Sequence, residues 1–564
     1  MCGILFELLY NGRSILHDEK VLQRIKNRGP DCSHVVELDI GSSVKATFCG
    51  AVLWMQGPHV TPQPVQNDRG ILLYNGDIFD ETWDRSVSDT QEIMLRLSTR
   101  KDDLQIVKEL KTFKGPFSII YYNKVDNNLF FTRDRIGRNT LLFHKDADSI
   151  LISSVLGRQY KCVEIPATHI QVLNLETKQM TLHPWVDGGK VEEFAVEDWL
   201  EKLQKQSSLP DEEVVFELKE LETLEDTDGI INYIENIVQE TKCTVKIMQN
   251  LLEQDHIKKT VSNIIELLEK SVKIRLNTQP NKCKHCLHEQ NPCTHCTIGV
   301  LFSGGLDCTI LAFLADKYVH KDQSIELLNV AFKKEENGTY DVPDRLTGRQ
   351  SFEELKKLCP GRKWVFREIN VPKEELEGYQ KSIIADLLYP RQTILDESLG
   401  SALWFAARGQ DGDYTCPCRV LLLGSGADEL FGGYLRHRNA YKRHGWQGLN
   451  KELHWDWKRI SFRNLARDSR VICDHSRQPR MPYLDEDFSN FVLNLKPWLK
   501  CFPVESLGPG IGDKLMLRLV AFSIGLSDVV TFPKRALQFG SRIANKKEKS
   551  SDLSKLFIDV KLKD

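Results

Sequence analysis

The chain has 564 residues, 41% hydrophobic and 27% charged, which leaves room for two or three globular domains. A formal net charge of -3, with no basic block interleaved with aromatic residues, gives no footprint for nucleic acid, and no apolar run approaches the length of a membrane span. The start, MCGILFELLY, lacks the basic leader and cleavage site of a signal peptide, so the fifteen cysteines read as reduced thiols of a cytoplasmic protein, as metal ligands or as a nucleophile.

Cys2 follows the initiator methionine, and a residue that small permits the methionine to be removed. Thiol and free α-amine would then share one residue and supply both nucleophile and base; a chance cysteine in the first strand is the alternative reading. Arg28-Gly29-Pro30-Asp31, Asn75-Gly76-Asp77, Ser88-Asp89, Gly115-Pro116-Phe117-Ser118 and Arg133-Asp134-Arg135-Ile136-Gly137 come next. The Asn75 amide and the Gly76 N–H are placed to converge as an oxyanion hole. Segments such as FSIIYY and NLFFTRD are short, β-rich and bounded by turns.

In this order, the motifs resemble the glutamine amidotransferases with an N-terminal nucleophile. The resemblance implies a domain over 2–185 built as a sandwich of antiparallel sheets and helices. It makes Cys2 the nucleophile toward the glutamine side-chain amide, with Asn75 and Gly76 as oxyanion donors. Asp89 would hold the substrate ammonium, with Arg28 and Asp77 as further substrate-binding residues. Two departures stand out. The segment CGAVLWMQG before Gln63-Pro64 carries no arginine to grip the glutamine carboxylate, and the family's NGE is NGD, placing the Asp77 carboxylate one methylene closer to the backbone. Slow or lost glutaminase activity is the expected consequence.

Residues 186–229 are acidic and poor in glycine, and read as an extended or partly helical linker. Helical spacing of apolar residues (Ile234, Ile237, Val238; Ile264, Ile265, Leu268, Val272) marks a helical lead-in over 230–282. Residues 283–297 hold CKHCLHEQNPCTHC, in which Cys283, Cys286, Cys293 and Cys296 form CxxC-x6-CxxC. Such turns can place four thiolates around a structural zinc ion, with His285, His288 and His295 as substitutes. The competing reading is an exposed insertion of reduced thiols.

In VLFSGGLDCTILAFLA (300–315), an apolar strand runs into a glycine turn and then a helix. Glycines bring backbone amides close to an anion, and the helix dipole favours its charge, so this is a phosphate cradle. No GxxxxGK[ST] lysine follows the glycines. SGGxD resembles the loop of the ATP pyrophosphatases, with Cys308 at a position where serine is usual. The resemblance implies an ATP site at Leu301, Ser303, Gly304, Gly305, Asp307 and Cys308. Residues 327–332, LLNVAF, read as a second buried strand, with Val330 near its end against the adenine. A third strand (420–423) enters GSGADELFGGY, where Gly424 and Ser425 join the ATP-binding set.

That signature, with the RMPYLD element at 480–485 and Lys514, resembles the asparagine synthetases, and implies a doubly wound α/β synthetase domain over 298–545 followed by a polar tail over 546–564. Asp307 and Asp428 are the expected Mg2+ ligands, helix capping being their bland alternative. Lys514 is the expected neutraliser of pyrophosphate. Glutamine, aspartate and ATP are the implied substrates, and asparagine synthesis the implied activity. Where those enzymes carry a glutamate within the signature this chain has Ser425, and where a glutamate precedes RxPYLD it has Gln478. The rival expectation is a catalytically weakened or inactive homologue that binds nucleotide and acts as a regulatory protein on partners through the acidic linker or the Cys-rich insert.

Overall fold

In the first strand, Gly3–Leu9, Ile4, Phe6 and Leu8 point to one face and Leu5 and Glu7 to the other, and both faces are buried. Such a strand can only sit inside a layered structure. The computed structural model describes residues 2–40, 44–205, 224–291, 293–333, 335, 338–507, 510–544 and 549–558. The first domain stacks two antiparallel sheets. In one, Gly3–Leu9 lies between Ser149–Ser153 and Val44–Val52, with Leu142–Lys145 and Cys162–Glu164 beyond the first and Cys32–Ile40 beyond the second. The other is seven-stranded, with Phe117–Asn123 between Gly70–Gly76 and Asn128–Arg133.

Ile4, Phe6 and Phe48 meet Ile71, Leu73, Ile120 and Phe131 between the sheets. The outer face of the seven-stranded sheet packs Tyr74 and Ile119 against Ile93 and Leu97 of the helix Asp89–Ser98. The outer face of the other sheet, with Leu5, Ala51 and Leu151, belongs to the same continuous core as the second domain.

The second domain is a five-stranded sheet, every pairing parallel, in the order Trp364–Val371, Ile325–Phe332, Ile298–Leu301, Val420–Leu422, Gln478–Arg480. The strand IELLNVAF is buried throughout, as helices on both faces require. Chain order reverses between Ile298–Leu301 and Val420–Leu422, so the loops after these two strands open into the crevice where such sheets bind ligands. Both expected architectures, the amidotransferase sandwich and the doubly wound α/β domain, are thus present. Among the described residues, no helix is long and apolar enough to cross a membrane.

Two segments depart from the expectations. Within the stretch read as a linker over 186–229, Glu192–Ala195 adds a strand to the seven-stranded sheet and Val196–Lys205 forms a helix that seals the sandwich. Trp199 of that helix is 1% exposed and sits edge-on to Phe143, ring centroids 4.9 Å apart. Its acidic outer face hid a short apolar stripe. Residues 206–223 of that stretch lie outside the described residues. The lead-in forms three helices, Ile230–Glu240, Thr244–Leu251 and Asp255–Asn277. In the polar tail, residues 549–558 pack back on the domain: Ile394 N donates to Asp552 O at 2.9 Å, and Phe557 is buried. Residues 545–548 and 559–564 lie outside the described set.

Trp199→Ala should therefore cost about 3–5 kcal/mol in chemical denaturation of the full chain, the usual loss for an aromatic residue of a packed core. A change below about 0.5 kcal/mol, typical of an exposed linker residue, would contradict the assignment of this helix to the first domain.

Candidate functional site

The amidotransferase centre forms where the start of the first strand meets the end of Gly70–Gly76. The Cys2 nitrogen donates to Asn75 Oδ1 at 2.9 Å. This orients the Asn75 amide, whose Nδ2 is buried with no hydrogen-bond partner. An unpartnered buried donor beside a nucleophile is the feature an oxyanion hole requires. Asn139 Nδ2 donates to Asn75 O at 2.8 Å and fixes the strand end just before Gly76. Burial pushes the Cys2 thiol up.

A residue that sequence reasoning used only as a landmark also belongs here. Gln63 is 1% exposed, its Nε2 lies 3.6 Å from Cys2 Sγ, and its Oε1 accepts from Tyr74 N at 2.7 Å. The Gln-Pro pair was the available signal. Asp89 accepts from Tyr74 Oη at 3.0 Å and from Ile78 N at 3.4 Å. Its carboxyl is pushed up to about 7, chiefly by burial and then by the like charge of Asp77.

Two of the expected substrate-binding residues also make contacts within the protein, Arg28 keeping its Nη2 buried and without a partner. Arg28 donates from Nε to Cys2 O at 3.3 Å and from Nη1 to Ser469 O at 3.4 Å, so it holds the Cys2 backbone against the second domain. Asp77 is fully buried and already saturated: Oδ1 accepts from Gln56 Nε2 at 2.9 Å, while Oδ2 accepts from Arg480 Nη2 at 3.1 Å and from Gln478 Nε2. The reason is the position of the parallel sheet's edge strand, Gln478–Arg480, which abuts the NGD turn. Gln478 therefore lies at the domain junction and does not line the second cavity.

The second centre is a cavity of about 400 Å3 at the reversal of strand order, lined by Leu301, Ser303, Gly305, Asp307, Cys308, Val330, Gly424 and Ser425. Gly304, also expected there, instead packs against the Gly348 backbone of the helix Pro343–Leu358. Cys308 Sγ donates to Gly305 O at 3.3 Å and lies 3.7 Å from Ser303 Oγ, so the thiol ties the loop to itself. A Cβ on Gly424 would come within 2.8 Å of the Asp307 side chain, so glycine there lets the two loops meet.

Neither Asp307 nor Asp428 caps a helix: Gly305 and Gly426 hold those positions. Instead, Lys514 Nζ bridges them, 2.6 Å from Asp307 Oδ2 and 2.7 Å from Asp428 Oδ1, and Lys534 Nζ lies 2.6 Å from Asp428 Oδ2. Burial works against the Lys514 charge, yet the two carboxylates hold its pKa raised. Asp307 Oδ1 remains buried and without a partner. A carboxylate oxygen left over beside a glycine loop suits a hard cation such as Mg2+.

Sequence reasoning missed Asp344. It lines the same cavity, its Oδ2 has no partner, and its carboxyl is pushed up to about 7 by burial, against the pull of Arg535 and Lys534. It sits in VPDRLTGR, a stretch that carries no motif of its own.

In the Cys-rich insert, Cys283, Cys286, Cys293 and His295 converge, every ligand atom within 4.8 Å of the others. Cys296 does not join them. Two residues later, Ile298 pairs with Val420 in the parallel sheet, and this direction of the chain turns Cys296 away. Its Sγ donates to Ile298 O at 3.0 Å and faces Cys416 at 3.9 Å.

Residues 1–160 match the family described as Glutamine amidotransferase domain, and residues 294–447 and 441–543 match Asparagine synthase. The chain is 39% identical to an asparagine synthetase domain-containing protein of Drosophila melanogaster, the alignment covering 98% of this chain and 100% of that one. It is 34% identical to asparagine synthetase domain-containing protein 1 of Homo sapiens, over 98% of this chain and 97% of that one. A protein of Methanocaldococcus jannaschii named as a glutamine-hydrolyzing asparagine synthetase is 28% identical over 43% of this chain and 46% of its own length.

Arg480→Met would leave the Asp77 charge buried beside neutral groups, and should destabilise the protein by about 3–5 kcal/mol. Adding Asp77→Asn should return about 1–3 kcal/mol in a double-mutant cycle measured by denaturation. Simple additivity of the two substitutions would mean that the pair does not hold the junction.

Proposed function

This chain belongs to the asparagine synthetase domain-containing family, and we propose that it is a glutamine-dependent asparagine synthetase. The observation that carries the reading is the short bonded path between the two centres. Asn75 and Asp77 lie on one turn; Asp77 binds Arg480; three residues on, Tyr483 Oη donates to the backbone O of Asp307 at 3.1 Å. An enzyme that makes ammonia at one site and consumes it at another needs the two held in fixed register.

With Met1 removed, the Cys2 nitrogen becomes an α-amine that takes the thiol proton. The thiolate attacks the glutamine side-chain carbonyl, Asn75 Nδ2 and the Gly76 N–H receive the oxyanion, the protonated α-amine returns its proton to the departing nitrogen so that ammonia leaves, and water hydrolyses the resulting thioester to release glutamate and the thiol. Gln63 orients the sulfur, and Asp89 holds the glutamine ammonium. At the second centre the aspartate β-carboxylate attacks the α-phosphorus of ATP and pyrophosphate departs. Ammonia then displaces AMP. The glycine loop and the N-terminus of the helix Leu306–Ala315 cradle phosphate, while Lys514 and Lys534 offset its charge. Asp307 and Asp428 would hold Mg2+, which adds charge neutralisation there.

A second reading, a nucleotide-binding homologue without turnover, is favoured by one observation: Ser425 lines the cavity where asparagine synthetases carry a glutamate. The two readings separate when the chain is given ATP, Mg2+, aspartate and either glutamine or ammonium, with pyrophosphate and asparagine followed together. The synthetase produces both; pyrophosphate alone points to another acceptor carboxylate, and retained ATP binding with neither product favours the second reading.

Cys2→Ala should abolish asparagine formation from glutamine and leave formation from ammonium intact; loss of both would contradict the division of labour. Because the Asp89 carboxyl is pushed up to about 7, it becomes neutral as pH falls and can no longer pair with the substrate ammonium. The KM for glutamine should rise by up to roughly tenfold per pH unit below about pH 7 and stay flat above it, while ammonium-dependent synthesis keeps its own profile. An acid limb identical for the two nitrogen donors would rule out Asp89 as its source.

A further inference from the structure

We propose that Cys283, Cys286, Cys293 and His295 bind one structural zinc ion, and that this ion anchors the insert beside the strand that feeds the glycine loop. The thiols of Cys283, Cys286 and Cys293 are buried, and they form a cluster separate from the main core. The insert has neither helix nor strand among its described residues and no aliphatic core. Three buried thiols also cannot pair off as disulfides, and all three are free. A segment this short that buries only thiols needs a cross-link, and a metal ion supplies one.

The geometry has the right scale. His295 Nδ1 lies 3.8 Å from Cys283 Sγ, 3.2 Å from Cys286 Sγ and 3.9 Å from Cys293 Sγ. Tetrahedral zinc, with Zn–S of about 2.3 Å and Zn–N of about 2.0 Å, sets S···N edges of about 3.5 Å, in the middle of that range. The imidazole is the exposed member of the group, at its solvent edge. Four protein ligands leave no open position, so the ion has a structural rather than a catalytic role.

The surroundings hold the ligand frame to the second domain. Gln323, 2% exposed, donates from Nε2 to Cys293 O at 2.9 Å and to Asn281 Oδ1 at 2.8 Å, and accepts from Thr297 Oγ1 at 2.9 Å. Lys284 N donates to Pro417 O at 3.0 Å, and Lys284 Nζ donates to His475 O. Thr297 directly precedes Ile298–Leu301, whose far end opens into Ser303 and Gly305. The inference does not depend on the synthetase reading, since the zinc would be bound whether or not either half-reaction turns over.

The test is metal analysis and zinc K-edge X-ray absorption on the wild-type full chain, purified from zinc-supplemented medium and gel-filtered. A single zinc per chain, with three sulfurs at about 2.3 Å and one nitrogen at about 2.0 Å, is expected. Four sulfurs would restore Cys296 to the ligand set and overturn the proposal. So would two sulfurs with an oxygen, the signature of the neighbouring Cys296, Glu326 and Cys416 group, and so would a chain free of metal. His295→Ala should weaken zinc retention against a competing chelator more than roughly tenfold, while Cys296→Ser should retain zinc as the wild type does; the reverse order would also overturn it. The absorption measurement needs no variant, so it decides the matter even where a substitution prevents folding.

Discussion

A buried ion pair has to be complete, because either half alone leaves a charge in a medium that cannot solvate it. Arg480 and Asp77 meet this condition across the domain junction with both side chains wholly buried. Arg480 adds donations to Arg275 O and to Thr278 O at 2.8 Å, and Asp77 takes two more donors from Gln478 and Gln56. Both Arg480 Nη atoms and both Asp77 carboxylate oxygens are thereby engaged, and the NGD turn is held in one position. Since that turn carries Asn75, and Asn75 holds the Cys2 nitrogen, the placement of Cys2 depends on an arginine of the other domain.

The same device recurs along the interface. Arg419 reaches Asp31 at 2.6 Å, Arg470 reaches Glu164 at 3.2 Å, and Arg138 binds Glu486. In each pair both side chains are nearly or fully excluded from solvent. The value of such pairs lies less in net stability, which desolvation largely cancels, than in fixing register: an apolar interface tolerates sliding, whereas forked guanidinium contacts do not. Fixed register is what the proposed transfer of ammonia between the two centres would demand.

How much of this was legible in the sequence follows from the range of each interaction. The glycine loop could be read because strand, turn, helix N-terminus and Asp307 lie within ten residues, and the chemistry of binding an anion dictates their types. Cys2 with Asn75 was legible as a motif order, although their bond spans 73 positions. Gln478 and Asp77 lie 401 positions apart, and nothing local to either announces the other. His295 and Cys296 are adjacent and equally able to bind metal; only the pairing of Ile298 in the sheet decides which faces the other thiols. The helix Val196–Lys205 was hidden for a different reason: its buried stripe is essentially Val196 and Trp199, too few residues to show above the acidic background.

These contacts also change the meaning of the departures from the asparagine synthetase pattern. Taken singly, Asp77 for glutamate and Gln478 for glutamate are two losses. In space they are one unit, in which the amide of Gln478 donates to the carboxylate of Asp77. Glutamates at both positions would set two carboxylates against a single guanidinium, and one of them would be left to repel the other. The two substitutions are therefore consistent with a junction whose charge was rebalanced as a pair. Ser425 is different, because it lines the second cavity and nothing at the junction offsets it. Asp344, a residue outside the signature, lines the same wall with a buried, unpartnered carboxylate oxygen, and burial pushes its carboxyl up, as it does those of Glu429 and Asp468 beside the same cavity.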